Sequence, residues 1–277
     1  MKNIFTLFFL SFILFSCSRD NQDEVIEDDE PLITKMSLIL YPNSFPYNNA
    51  ELSYIFQYDN EKRLIKKIGG FLQSSWGTGY EGFGLYFTDK IYTSLIYNNN
   101  SVVVEDFSFS SDFNVLKNSK FFIIQNDQIQ QKEIPSANNS YLDKKLAYKY
   151  VNNQISEIKT ILPNMPYDPT DPYDYKESYI ENFFYDSKGN LLKTEYILQN
   201  NGINTKEKTV RIFEDYDNSS NPWKRLRLLD EFFYRSISKN NFRKYREIKY
   251  DFAGNIISHK EQTWTFNYDT NGNIIIN

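Results

Sequence analysis

The sequence predicts a mainly β domain: an antiparallel meander of hairpins forming one curved or partly closed sheet. Three observations carry that expectation. A Tyr-Asp turn motif recurs along the chain. The segments that lead into it alternate with period two. The apolar residues are aromatic in kind, with 23 Phe and 22 Tyr among 277 residues, and aromatics suit half-buried strands.

The motif is clearest at Tyr185-Asp186-Ser187-Lys188-Gly189-Asn190 and repeats at Tyr250-Asp251-Phe252-Ala253-Gly254-Asn255 and Tyr268-Asp269-Thr270-Asn271-Gly272-Asn273. A copy without glycine starts at Tyr58-Asp59, and Tyr97-Asn98-Asn99-Asn100 and Tyr150-Val151-Asn152-Asn153 read as decayed copies. Asp opens such a turn because its carboxylate accepts backbone N–H groups two residues on. Glycine closes it in the left-handed conformation that costs other residues about 1–2 kcal/mol, giving a type I turn with a bulge. Asn tolerates the same region.

The incoming strands follow. Leu52, Tyr54, Phe56 and Tyr58 alternate with Ser53, Ile55 and Gln57; Leu146, Tyr148 and Tyr150 alternate with Ala147 and Lys149; Trp264, Phe266 and Tyr268 alternate with Thr263, Thr265 and Asn267. Period two means strand, and a shared register lets the hairpins build one sheet. The spacing of the turn tyrosines is irregular, which argues for a meander with insertions over a solenoid. One insertion predicts a short helix near 222–234, with Asn221 as N-cap, Pro222 in the first position, and Trp223, Leu226, Leu229 and Phe233 at helical spacing.

The turn motif resembles the YD-type hairpin repeats of the RHS family. The stretch from Asp217-Asn218-Ser219-Ser220-Asn221-Pro222-Trp223 through Lys239-Asn240-Asn241 to the last two turns is similar to Bacteroidota lipoproteins of unknown function. That resemblance covers Tyr175 to Asn277 and implies a fold and an address, with no catalytic residues.

The amino terminus gives the same address. Met1-Lys2-Asn3 is followed by an uncharged apolar run from Ile4 to Phe15, the length of a signal-peptide core and too short to span a bilayer as a helix. Leu14-Phe15-Ser16-Cys17 resembles a lipobox, with Phe15 bulkier than usual for its position. The resemblance implies residues 1–16 as signal peptide, cleavage before Cys17, and several acyl chains there, enough for stable anchoring. Residues 18–31 hold seven acids and one Arg, so 17–31 reads as a lipidated, solvated tether. The acids resemble the export signal of surface lipoproteins in the Bacteroidota, and Ser18 is not the aspartate of inner-membrane retention. The expected location is the cell outer membrane, facing outward, with residues 32–277 as a single domain. Taking Lys2, Arg19 and those acids from the totals leaves 29 basic and 29 acidic residues in the domain. It has no excess charge to attract nucleic acid.

Candidate sites are few. Residues 69–84 hold six of the ten glycines. Gly77 to Gly82 matches a dinucleotide fingerprint by letter only, because no strand–turn–helix context surrounds it. Trp76, Tyr80 and Phe83 in this loop are the candidate ligand-binding residues, with rings able to stack on a sugar or grip a peptide. The plainer reading is a bend whose rings cap the sheet. Asp168, Asp171 and Asp174 sit in a proline-rich stretch that lacks the EF-hand order, and a stiff, solvated loop is expected.

Cys17 is the sole cysteine and His259 the sole histidine. Common zinc sites and His-based triads therefore lack parts, and no metal or cofactor is expected. His259 reads as an exposed strand residue. The leading expectation is a monomeric, non-catalytic binding or scaffold protein for a glycan or peptide. A carboxylate-dependent hydrolase of envelope or host glycans and a shell-like part of a toxin or adhesin system remain alternatives.

Overall fold

The computed structural model describes residues 32–38, 52–75, 83–113, 115 and 119–275. Among these residues, fourteen strands form one sheet. They are β1 (Lys35–Ser37), β2 (Ser53–Tyr58), β3 (Leu64–Ser75), β4 (Phe83–Asn98), β5 (Ser101–Ser108), β6 (Lys120–Gln125) and β7 (Gln128–Ile134). There follow β8 (Lys144–Val151), β9 (Gln154–Ile161), β10 (Glu177–Tyr185), β11 (Leu191–Asn200), β12 (Ile203–Tyr216), β13 (Phe242–Tyr250) and β14 (Ile256–Thr263). Spatial order equals chain order, and every neighbouring pair is antiparallel. The expected meander is what forms.

The Tyr-Asp turns share one geometry. At the Asp186 turn, Gly189 N–H donates to the Asp186 carbonyl (3.1 Å) and Asp186 N–H to the Asn190 carbonyl (2.9 Å). Asp186 Oδ1 accepts from the N–H groups of Lys188 and Asn190 at 2.8 Å each. Gly189 has φ +89°, and a register shift marks the bulge beside Tyr185. The Asp251 and Asp269 turns repeat the main-chain pattern. The Asp59 turn keeps it with Lys62 at φ 58° in the glycine position. These hydrogen bonds hold the Asp251 and Asp269 carboxyls below their ordinary range; at Asp59 and Asp186 burial is the largest single influence and pushes the carboxyl up, but the hydrogen bonds together, with Arg63 beside Asp59, outweigh it and hold it below that range.

The Asn-rich copies differ. Asn98 pairs with Ser101 and Val151 with Gln154, so each turn has two central residues. Asn152 and Asn153 have φ 51° and 61°, a primed turn matched to strand twist. Asn supplies positive φ there, as expected, in a tighter turn than the Asp-Gly one.

Tyrosines at strand ends tie neighbours together. The hydroxyl of Tyr58 donates to the Ile33 carbonyl (2.9 Å), Tyr97 to Leu64 (3.0 Å), Tyr150 to Ile129 (3.0 Å) and Tyr216 to Leu191 (2.5 Å). In each case the ring stays on the inner, core-bearing face. Burial pushes the Tyr97 phenol up to about 12.

The segment between β12 and β13 supplies the centre of the core. Trp223, Leu226, Leu228, Leu229 and Phe232 are buried there, each contributing roughly 1.5–3 kcal/mol. Phe232 meets Tyr54 and Phe56 of β2, with ring centres 6.2 and 6.0 Å apart. The next residue, Phe233, meets Tyr148 of β8 and Phe183 of β10, each at 6.4 Å. In a flat sheet β2 and β10 would lie about 38 Å apart. The sheet therefore curls around this insertion.

The helix expected near 222–234 is divided. Lys224–Leu226 and Asp230–Phe232 are 3-10 turns, and only Phe233–Ser236 is α-helical (α1). A continuous helix would turn Leu228 away from Leu226 by about 200°. The bonds Leu226 N–H to the Trp223 carbonyl, Leu229 to Leu226 and Phe232 to Leu229 instead step three residues at a time, and Trp223, Leu226, Leu229 and Phe232 are all buried. Asn221 caps no helix: its Oδ1 accepts Trp223 N–H (2.9 Å), and its amide donates to the carbonyls of Arg235 (2.5 Å) and Ser238 (2.7 Å).

A second correction concerns the carboxyl end. The strand expected through Thr263–Tyr268 is interrupted at Trp264–Phe266, and the last hairpin, β15 (Asn267–Tyr268) with β16 (Ile274–Ile275), forms its own two-stranded sheet. The cause is a buried cation. Trp264, whose N–H still donates to the Arg243 carbonyl of β13 (2.8 Å), and Phe266 join Trp223 and Phe242 around Arg235, whose guanidinium carbon lies 4.3, 5.5, 5.1 and 4.2 Å from their ring centres. Burial pushes Arg235 down to about 9, still charged at neutral pH.

Candidate binding surface

The inner face is closed by its own charges. Lys67 of β3 pairs with Glu231, and Lys132 of β7 with Asp230. Lys120 of β6 reaches Asp230 at 2.9 Å. Burial pushes Asp230 up, but Lys132 and Lys120 outweigh it and hold the carboxyl below its ordinary range.

A second network joins β10, β12 and β13. Arg211 lies 3.1 Å from Glu181 and 3.4 Å from Glu247. Tyr234 donates to Glu181 (2.8 Å) and Tyr245 to Glu247 (2.9 Å). The two carboxylates thus share one guanidinium. A glycosidase pair needs one protonated acid and room for a sugar between the two. Here the space between them holds Arg211.

The proline-rich loop spends its acids on itself. Asp168 Oδ1 accepts from Thr170 N–H, Asp171 Oδ1 from Tyr173 N–H, and Asp174 Oδ2 from Asp168 N–H, each at 2.8 Å. His259 is exposed on β14, opposite Ile248.

The outer face changes character along the sheet. On β2–β5, Ile55, Ile68, Tyr92 and Phe107 stand in one cross-strand row. Ile96, Val103 and Phe121 form another, and the polar row Gln57, Lys66, Ser94 and Glu105 lies between the two. Ile55, Ile96, Phe121 and Ile123 are exposed. On β7–β9 the same face carries charge pairs, Lys145 with Glu133 (3.3 Å) and Lys149 with Glu157 (2.7 Å).

In the first row, Tyr92 lies 5.4 Å from Phe107 and 4.5 Å from Phe109 between ring centres. The Lys66 ammonium sits 4.7 Å over Tyr92. Phe107, Phe109, Phe113 and Val115 edge a shallow depression of about 440 Å³. A polar recess of about 540 Å³ lies at the other end of the sheet, lined by Tyr216, Asp217, Arg243, Tyr268 and Asn273. Its Asp217 carboxylate already accepts from Tyr268, Ser219 and Asn241.

The glycine-rich stretch divides. Gly69 and Gly70 lie in β3, where the Phe87 ring and Ile91 side chain approach so closely that a Cβ would clash, at 2.5 and 2.8 Å. Beyond them, residues 71–75 pair with 83–87 in a two-stranded arm. Among the described residues, β2 pairs with β3 no further than Ile55↔Ile68 and β5 with β4 no further than Ser108↔Ile91, so the arm runs past both flanks. Phe83 opens β4. Trp76 and Tyr80, which belong to the stretch joining the two arm strands, lie outside the described residues, as does Cys17. The Tyr92–Phe107–Phe109 cluster escaped the sequence reading, although the alternation in Phe107-Ser108-Phe109 was a signal for it.

No family model matches the chain, and no curated protein resembles it. Solved structures similar to it include two porin-like proteins. One is a porin-like protein from Bacteroides uniformis, with 11% identity, a TM-score of 0.44 and 80% of each chain covered. The other is a porin-like protein from Bacteroides vulgatus, with 11% identity, a TM-score of 0.47, and 82% of this chain and 86% of that one covered.

Proposed function

We propose that the chain is a lipoprotein of the bacterial outer membrane, anchored through Cys17 and facing outward, with a non-catalytic binding or scaffold role. One observation carries the non-catalytic part. The concave face, where a curled sheet would hold a substrate or a lumen, is filled by the chain's own insertion, and the acids there are paired. What remains for a partner is the outer face and the arm that leads to Trp76 and Tyr80. A glycan or peptide ligand fits such a surface. The resemblance of Tyr175 to Asn277 to Bacteroidota lipoproteins of unknown function supports this address. Its RHS-like shell reading is disfavoured, since a shell needs an empty inner face.

The address is tested by metabolic acyl labelling. Labelled chain is expected from the parent and unlabelled chain from Cys17→Ser; label persisting on Cys17→Ser would refute the anchor. The binding role is tested by glycan and peptide arrays probed with full-length chain and its Trp76→Ala variant. Loss of signal on Trp76→Ala is expected; equal binding would remove that loop from the site.

A further inference from the structure

We propose that the polar recess between the main sheet and the carboxyl-terminal hairpin binds one neutral sugar unit, a pyranose. The proposal goes beyond the outer face and the arm, and it stands without the anchor or Trp76. The recess measures about 540 Å³, inside the range of about 300–1,000 Å³ usual for small-molecule sites. It opens where the loop after β12, the start of β13 and the last hairpin meet.

Its walls are held before any ligand arrives. Asn241 is 2% exposed, and its amide donates to Asp217 Oδ1 (3.1 Å), Ser219 Oγ (2.9 Å) and the Ser220 carbonyl (3.2 Å). Asn240 adds a bond to the Ser219 carbonyl (2.9 Å). The Tyr268 hydroxyl donates to Asp217 (2.9 Å), which fixes the ring of Tyr268, 37% exposed, as part of the wall. Asp215 stands at φ 56° inside β12, a conformation that residues other than glycine hold only under constraint. There its carboxylate takes the Arg243 guanidinium at 2.6 Å. A wall already ordered lowers the entropy cost of binding.

The groups that are spent select the ligand. Arg243 is neutralised by Asp215, and the Asp217 oxygens face O–H and N–H donors from Tyr268, Ser219 and Asn241. A charged ligand finds no unpaired counter-charge there, and a charge left unpaired is costly to desolvate. The unspent groups are neutral. Among the described residues, the side chains of Asn218, Ser220 and Asn271 have no hydrogen-bond partner. Amides and hydroxyls both donate and accept, which matches the hydroxyls of a sugar. The Tyr268 ring offers an apolar surface to the C–H face of a pyranose.

The experiment titrates the full-length chain, isotope-labelled at asparagine nitrogen, with methyl glucoside, methyl galactoside and methyl mannoside at millimolar concentration. Glucuronate and glucosamine are the charged counterparts. Saturation-transfer NMR reads the sugar, and the Nδ2–H resonances read Asn218 and Asn271. At such concentrations a weakly held sugar is detected that an array, washed before reading, does not retain. The expected result is binding of a neutral pyranoside with both amides shifted, and weaker binding of the charged sugars. Tyr268→Ala removes roughly 50 Å² of ring contact and should weaken binding about tenfold. Asn218→Ala combined with Asn271→Ala, at two exposed positions, should abolish it, and Trp76→Ala should bind as the parent does. No saturation transfer to any of the three neutral pyranosides overturns the proposal, as does binding that survives the double variant. Charged sugars held as tightly as neutral ones overturn it too. Binding lost on Trp76→Ala moves the sugar to the arm, which overturns the recess and leaves the proposed binding loop standing.

Discussion

The indole N–H of Trp223 points at the sulfur of Met36, 3.5 Å away and 187 residues earlier in the chain. Both side chains are fully buried. The contact ties the first strand of the sheet to the insertion that fills it. Trp223→Ala should cost about 3–5 kcal/mol, the usual loss for a buried indole, read as a lower urea midpoint. Since Trp223 also contacts Phe266, the carboxyl-terminal hairpin should become the first site of proteolysis.

Gly189 tests the Tyr-Asp turn. Its φ of +89° is strained for any side chain, and a Cβ would stand 3.3 Å from the Gln154 amide. Gly189→Ala is expected to lose about 1–2 kcal/mol, measured by chemical denaturation. The turn also docks on the insertion, where Asn240 N–H donates to Asn190 Oδ1 (2.9 Å). Altered exchange protection at residues 238–241 should accompany the loss.

Asp230 predicts a pH dependence. Its folded carboxyl titrates below the ordinary value of 3.8. The stabilisation is thus present above that value and is lost as pH falls through the lower, folded one. Unfolding free energy should drop on acidification below about pH 4. Asp230→Asn should flatten that drop and cost about 1–2 kcal/mol at neutral pH, a figure reduced because the side chain is half exposed. An unchanged acid limb would assign the dependence to the turn aspartates.

Arg235 separates charge from volume. Its Nη1 donates to the Phe242 carbonyl at 3.0 Å, while Nε and Nη2 have no hydrogen-bond partner among the described residues. Arg235→Ala should cost about 3–5 kcal/mol by opening a cavity among the four rings. Arg235→Met, which keeps the volume and removes a buried cation, should stay within about 1.5 kcal/mol of the parent. Equal losses in the two variants would show that attraction between cation and rings, rather than packing, holds the cage.

The meander was legible in the sequence because its causes are local. An aspartate at the start of a turn, glycine or asparagine at positive φ, and side chains alternating on either side are settled within a few residues. The Asp59, Asp186, Asp251 and Asp269 turns all formed where the letters placed them. The interruptions were not legible, because their causes are distant. The segment after Asn221 gives up the expected helix where Phe232 packs against Tyr54 and Phe56 of β2. Trp264 leaves its strand for an arginine 29 residues upstream.

By itself, then, the sequence determined the strands, the order in which they pair and the residues that bend between them, since backbone hydrogen bonding between chain neighbours needs no distant partner. The curl of the sheet and the filling of its hollow by residues 223–236 were decided only in three dimensions. Each depends on side chains from strands far apart in the chain meeting one insertion. A local pattern of residue types can say that a face is apolar, but not which distant segment will cover it or whether it stays bare.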